Sequence, residues 1–137
     1  MSLALVVDDD PDLLNLYTDL MEEMGLEVVS AQDGVEALKL AVELKPELIL
    51  TDWQMPRMDG IELCKTLKRS ARLDRPLLIL HSSEPILEPW CADVCLRKPS
   101  SQETFEAVVK AMLESLHDRR TFSPRHHADH ASGVSAP

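Results

Sequence analysis

Five short, mostly apolar runs punctuate the chain, and nearly all of them end in polar or charged residues. Leu3–Val7 runs into Asp8-Asp9-Asp10, and Leu48–Asp52 closes on a carboxylate. Pro76–Leu80 leads to His81-Ser82-Ser83, Val94–Leu96 leads to Arg97-Lys98-Pro99, and Glu27–Ala31 is a fifth, less apolar run. Runs of this length predict strands, buried where they are fully apolar. Between them, apolar residues recur at helical spacing. Leu13, Leu14, Tyr17, Leu20, Met21 and Met24 predict a helix opened by Asp10-Pro11 and stopped at Gly25. A second helix opens on an Asp33…Glu36 capping pattern, is expected to turn Val35, Leu38, Ala41 and Val42 inward, and ends near Lys45-Pro46. Asp59…Glu62 repeats the cap before Leu63, Cys64 and Leu67. Ser100-Ser101-Gln102-Glu103 opens a last helix with Phe105, Val108, Val109, Met112, Leu113 and Leu116 on one face.

Strands alternating with helices imply right-handed βαβ units, and hence an α/β domain whose parallel sheet carries helices on both faces. The folded domain is expected over residues 1–118. Residues 119–137, with Pro, Ser, Gly and the histidines His126, His127 and His130 but no apolar face, read as a flexible tail. Nothing in that stretch fixes the geometry of the three histidines, so a solvated tail is preferred to a metal site.

Charge narrows the function. Against 24 acidic residues stand 14 basic ones in a chain of 137, a net charge of -10. That balance disfavours direct nucleic-acid binding and favours partners that are proteins or metal ions. No apolar run approaches a membrane span, and Met1-Ser2-Leu3 leads directly into a strand without a signal-peptide pattern, so a cytoplasmic location is expected. Cys64, Cys91 and Cys95 lack the number and spacing of a structural zinc site and are expected to be small buried hydrophobes.

The chemistry gathers at the strand ends. In an open α/β sheet the carboxyl ends of the strands face the functional crevice. Asp8, Asp9, Asp52, Ser82 and Lys98 all belong there. Clustered carboxylates repel one another unless a divalent cation or an ammonium neutralises them. Mg2+ suits carboxylate, water and phosphoryl oxygens. Lys98 offers a point charge, Ser82 a hydroxyl donor, and a carboxylate can act as nucleophile toward phosphorus.

In this arrangement the chain resembles the receiver domains of two-component response regulators. The resemblance covers roughly residues 3–117 and rests on VVDDDPDLL, LTDWQMPRMDG, LHSSE and LRKPS at the ends of successive strands. It implies a doubly wound, five-stranded, flavodoxin-like fold. It further implies that Asp52 accepts a phosphoryl group from the phosphohistidine of a sensor histidine kinase or histidine phosphotransfer protein, and that the acceptor assists its own phosphorylation and dephosphorylation without being an enzyme in the ordinary sense. Mg2+ or Mn2+ would be held by Asp9 directly, by Asp8 mostly through water, by Asp52 and by the backbone carbonyl of Gln54. Ser82 would take the switch hydroxyl position and Lys98 that of the family lysine, with Lys98-Pro99 in the cis form. Gln54 and Glu84 fall where the family tunes loss of the phosphoryl group.

Two departures from the family stand out. The stretch from Ser82 to Lys98 is several residues short and contains Pro85 and Pro89, so the helix normally found there is expected to be absent or about one turn long. Cys95 occupies the position of the usual switch aromatic, which places the output relay in question. Two alternatives remain at this stage: a pseudo-receiver signalling without phosphorylation, and a haloacid-dehalogenase-type phosphohydrolase using Asp8 and Asp10. Asp10 and Asp59 are read as helix caps, Trp53 as a surface or rim aromatic, and His81 as a strand-end residue.

Overall fold

The computed structural model describes residues 2–69, 76–87 and 91–121. Its elements follow the order β1 (Leu3–Val7), α1 (Pro11–Glu23), β2 (Glu27–Ala31), α2 (Gly34–Leu44), β3 (Leu48–Asp52), α3 (Gly60–Lys68), β4 (Leu77–Ser82), β5 (Val94–Arg97) and α4 (Gln102–Thr121). The five strands form one sheet in the order β2-β1-β3-β4-β5, and every pairing is parallel. The chain therefore winds one way from β1 to β2 and the other way from β3 onward. The crevice at that reversal opens between the carboxyl ends of β1 and β3.

Alternation along the strands divides the core into two layers. Ala4, Val6, Leu48, Leu50, Leu77 and Ile79 pack under Leu14, Leu20 and Met21 of α1 and Phe105, Val109 and Leu116 of α4. Leu5, Val7, Ile49, Leu78 and Leu80 face the other way, toward Ala37 and Ala41 of α2 and Leu63, Cys64 and Leu67 of α3. Both faces are thus covered, which is why the three central strands carry almost no polar residue before their ends.

The caps hold the helices at the crevice rim. Asp10 accepts from the amide of Asp12 at 2.9 Å with Pro11 in the first turn, and Asp59 and Glu62 close a reciprocal capping box. Asp33 accepts from the Glu36 amide at 2.8 Å, but Glu36 reaches one residue further upstream, to the Gln32 amide at 2.9 Å, so the box expected there is not closed.

Three expectations need correction. Val35 and Val42 are 45% and 60% exposed; the inward stripe of α2 is Gly34, Ala37 and Ala41, with Leu38 half-buried. The amide of Gly34 donates to the Met58 carbonyl at 3.1 Å, and this close approach selects the stripe of small residues. Cys64 and Cys91 are buried, whereas Cys95 is exposed, because β5 is an edge strand and Cys95 lies on its uncovered side. Finally, α4 continues to Thr121, past the boundary expected at residue 118. The three tail histidines lie outside the described residues.

Among the described residues, the segment between β4 and β5 contains no α-helix. Its place is taken by a side-chain clamp. The Asp93 carboxylate accepts from the Leu78 amide at 2.7 Å and the Asp93 amide donates to the Leu78 carbonyl at 2.8 Å, while Cys91 and Ala92 fill the core face. Pro89 is outside the described residues; Leu87 is 85% exposed.

Candidate functional site

The register Val7↔Thr51 sets the ends of β1 and β3 side by side, so Asp8 and Asp52 emerge into the same crevice. One oxygen from each of Asp8, Asp9 and Asp52 lies within 4.8 Å of the others. Lys98 enters from the end of β5. Its Nζ is 3.0 Å from Asp52 Oδ1 and 3.4 Å from Asp8 Oδ2. The Lys98 amide donates to the Ser82 carbonyl at 2.8 Å, which ties the lysine to the end of β4.

Asp8 is 2% exposed, and burial, partly offset by the Asp10 amide at 3.0 Å and by Lys98, raises its proton affinity. For Lys98, burial favours the neutral amine, but the hydrogen bond to Asp52 and the charges of Asp52 and Asp8 outweigh it and raise its pKa. Three carboxylates facing one ammonium leave an excess of negative charge that a cation would relieve. Octahedral Mg2+ places its oxygen ligands roughly 3 to 4 Å apart, so the present cluster needs only slight contraction to hold it. Asp8, Asp9 and Asp52 therefore fit such an ion.

Of the other expected residues, Ser82 lies at the end of β4, with its hydroxyl engaged locally. It donates to the Glu84 carbonyl at 2.9 Å and accepts from the Glu84 amide at 3.0 Å. Gln54 is exposed in the turn after Asp52. Trp53 is half-buried against the α2–α3 layer. The Lys98-Pro99 peptide is cis. Asp10 commits its carboxylate to the α1 cap, which removes one member of the Asp-x-Asp pair that a phosphohydrolase would need.

Sequence reasoning passed over two features. Arg57 pairs with Asp33, joining the β3–α3 turn to the start of α2; the Glu36 amide and Arg57 together hold the Asp33 carboxyl below its usual range. His81 is 1% exposed, with its ring against Tyr17. A signal for His81 was available: Leu77, Ile79 and His81 alternate on one face, so a polar residue stands at a core position.

The sequence pattern of the response regulator receiver domain matches residues 4–110. The chain belongs to that family. Among curated relatives of this receiver domain, the alkaline phosphatase synthesis transcriptional regulatory protein PhoP of Bacillus subtilis is 40% identical over 114 residues, covering 80% of this chain and 47% of its own length. The DNA-binding dual master transcriptional regulator RpaA of Synechocystis is 36% identical over 119 residues, covering 82% and 49%. The chain thus spans about half the length of these relatives. Among solved structures, the response regulator TrrA of Thermotoga maritima, in complex with Mg2+-BeF, superposes with a TM-score of 0.75 at 28% identity, covering 82% of this chain and 99% of that one. The signal receiver domain of a histidine kinase from Syntrophus aciditrophicus gives 0.77 at 28% identity, covering 84% and 92%.

Proposed function

We propose that Asp52 accepts a phosphoryl group and that the chain is a phosphorylation-controlled switch. The observation that carries this reading is the position of Lys98, whose ammonium sits 3.0 Å from Asp52 and 3.4 Å from Asp8 at the mouth of a three-carboxylate cluster. An Asp52 oxygen attacks phosphorus, the bond from phosphorus to the donor histidine nitrogen breaks, and the imidazole leaves. Lys98 balances charge on the phosphoryl oxygens as the group reaches the acceptor. Ser82 supplies a hydroxyl donor once it exchanges the Glu84 carbonyl for a phosphoryl oxygen. Asp8, Asp9, Asp52 and the Gln54 carbonyl would hold Mg2+ or Mn2+, which supplies Lewis-acid neutralisation of the transferring group when bound. Glu84 and Gln54 stand at the positions where the family tunes loss of the phosphoryl group and would set the rate of hydrolysis.

The donor is a sensor histidine kinase or histidine phosphotransfer protein in the cytoplasm, and the output is a protein contact. Net charge of -10 argues against this domain touching DNA itself, and the relatives named as transcriptional regulators are about twice as long as the matched region. Among the described residues, no helix is long and apolar enough to cross a membrane. Acetyl phosphate with Mg2+ should add one phosphoryl mass to the intact protein. Asp52→Asn should abolish the gain; an Asp52→Asn protein that still gains the mass would reject the assignment.

A further inference from the structure

His81 is the polar group least accounted for by the carboxylate crevice. It occupies a core position of β4, and its Nδ1 has no hydrogen-bond partner among the described residues. An unsatisfied buried polar atom destabilises the fold, a cost that leucine at this position would avoid. The contacts of the ring indicate its use. Nε2 is 3.4 Å from Ser100 Oγ. Tyr17 packs on the imidazole at 5.2 Å with a 60° tilt and is itself stacked on Phe105 at 5.2 Å, which sets the ring's orientation.

Ser100 follows the Lys98-Pro99 pair directly. We propose that His81 is a positioning residue for phosphoryl transfer: its imidazole, seated on Tyr17, braces the chain just after Lys98 and so keeps the Lys98 ammonium between Asp52 and Asp8. The proposal rests on Asp52 being the acceptor. A lysine side chain is a flexible stem that carries a point charge, and a productive site needs its groups held within about 0.5 Å. The two carboxylates fix only the far end of Lys98. The near end depends on the turn, which the Lys98 amide and the His81 ring both tie to the end of β4.

The test compares the full chain with His81→Leu, His81→Gln and Ser100→Ala. Acetyl phosphate labelling at saturating Mg2+ is followed by intact mass, Mg2+ affinity by tryptophan fluorescence, and the Lys98 ammonium by its NMR signal. His81→Leu and Ser100→Ala should slow labelling about tenfold while Mg2+ affinity stays within about twofold. His81→Gln, whose amide can still reach Ser100, should recover most of the rate. The Lys98 signal should be distinct in the parent and merge with those of exposed lysines in His81→Leu and Ser100→Ala. Labelling at the parental rate in both variants, a slowing matched by weaker Mg2+ binding, or an unchanged Lys98 signal would overturn the proposal. A parent chain that takes no phosphoryl group would instead overturn the Asp52 assignment, and the Lys98 signal would still decide the role of His81. Ser100→Ala changes no core residue, so the question stays answerable if His81→Leu fails to fold.

Discussion

A methyl group on Gly60 would stand 2.1 Å from the carbonyl oxygen of Asp52. The same glycine donates its amide to the Trp53 carbonyl at 2.7 Å, so the first turn of α3 is seated directly on the strand end that carries Asp52. The clash is with backbone, and no side chain can swing away to relieve it. Gly60→Ala should therefore destabilise the fold by roughly 1 to 3 kcal/mol, the usual cost of overpacking. Urea denaturation checks this; an unchanged midpoint would mean that α3 can lift off β3 without penalty.

Lys98 is the ammonium that meets the carboxylate cluster, so its removal should separate metal binding from phosphoryl transfer. Lys98→Ala takes one positive charge away from a cation site a few ångströms distant. At a separation of about 5 Å and an effective dielectric near 20 to 80, a single and a double positive charge repel by on the order of 2 to 7 kcal/mol. Mg2+ binding should tighten at least severalfold while acetyl phosphate labelling falls by at least about tenfold. Calorimetry and intact mass check the two halves, and a parallel loss of both would show that Lys98 instead supports the fold of the crevice.

The adjacent aspartates should divide their work. Asp9 contributes an oxygen to the carboxylate cluster, whereas Asp10 caps α1 through the Asp12 amide. Asp9→Ala should weaken Mg2+ binding with little change in stability. Asp10→Ala should cost about 1 kcal/mol of stability and leave Mg2+ affinity within about twofold. Fluorescence titration with a denaturation curve on each variant checks this, and equal effects on Mg2+ would remove the distinction.

What the chain announced in advance was whatever follows from periodicity and from turn chemistry. An unbroken apolar run ending in carboxylates has few readings other than a buried strand, which made β1 and β3 plain. Asp10-Pro11 and Asp59…Glu62 carry their cap geometry in their residue types. The crevice followed, because a parallel sheet brings strand ends together. Helical faces were harder where two stripes overlap. In α2 the larger Val35 and Val42 looked like core, but the backbone contact between Gly34 and Met58 turns the small residues inward. Cys95 looked buried because cysteine usually is, yet edge position is a property of strand order, which local pattern does not encode. The burial of His81 was legible from its alternation with Leu77 and Ile79, but its partners were not: Tyr17 and Ser100, and the Phe105 ring behind Tyr17, come from separate segments.

The burial of His81 also sets how stability responds to acid. Burial is the main reason its pKa falls from 6.5 to about 4, with the nearby Lys98 charge adding to the effect. The unfolded chain thus takes up a proton on His81 below about pH 6.5, while the folded chain resists until about pH 4. Between those values the unfolded state binds more protons, so stability is fully present above the unfolded pKa and declines as pH drops toward the folded one. The whole contribution is on the order of 3 kcal/mol. Asp8, whose pKa is raised chiefly by burial, acts in the opposite sense at the acidic end, so the parent curve alone does not isolate the histidine. The difference between parent and His81→Leu does. That variant should lose less stability between about pH 7 and pH 4.5 than the parent, as measured by urea midpoints at constant ionic strength. Parallel curves would mean that the imidazole accepts its proton in the folded protein at an ordinary pH, which its enclosure by Tyr17 and the β4 core argues against.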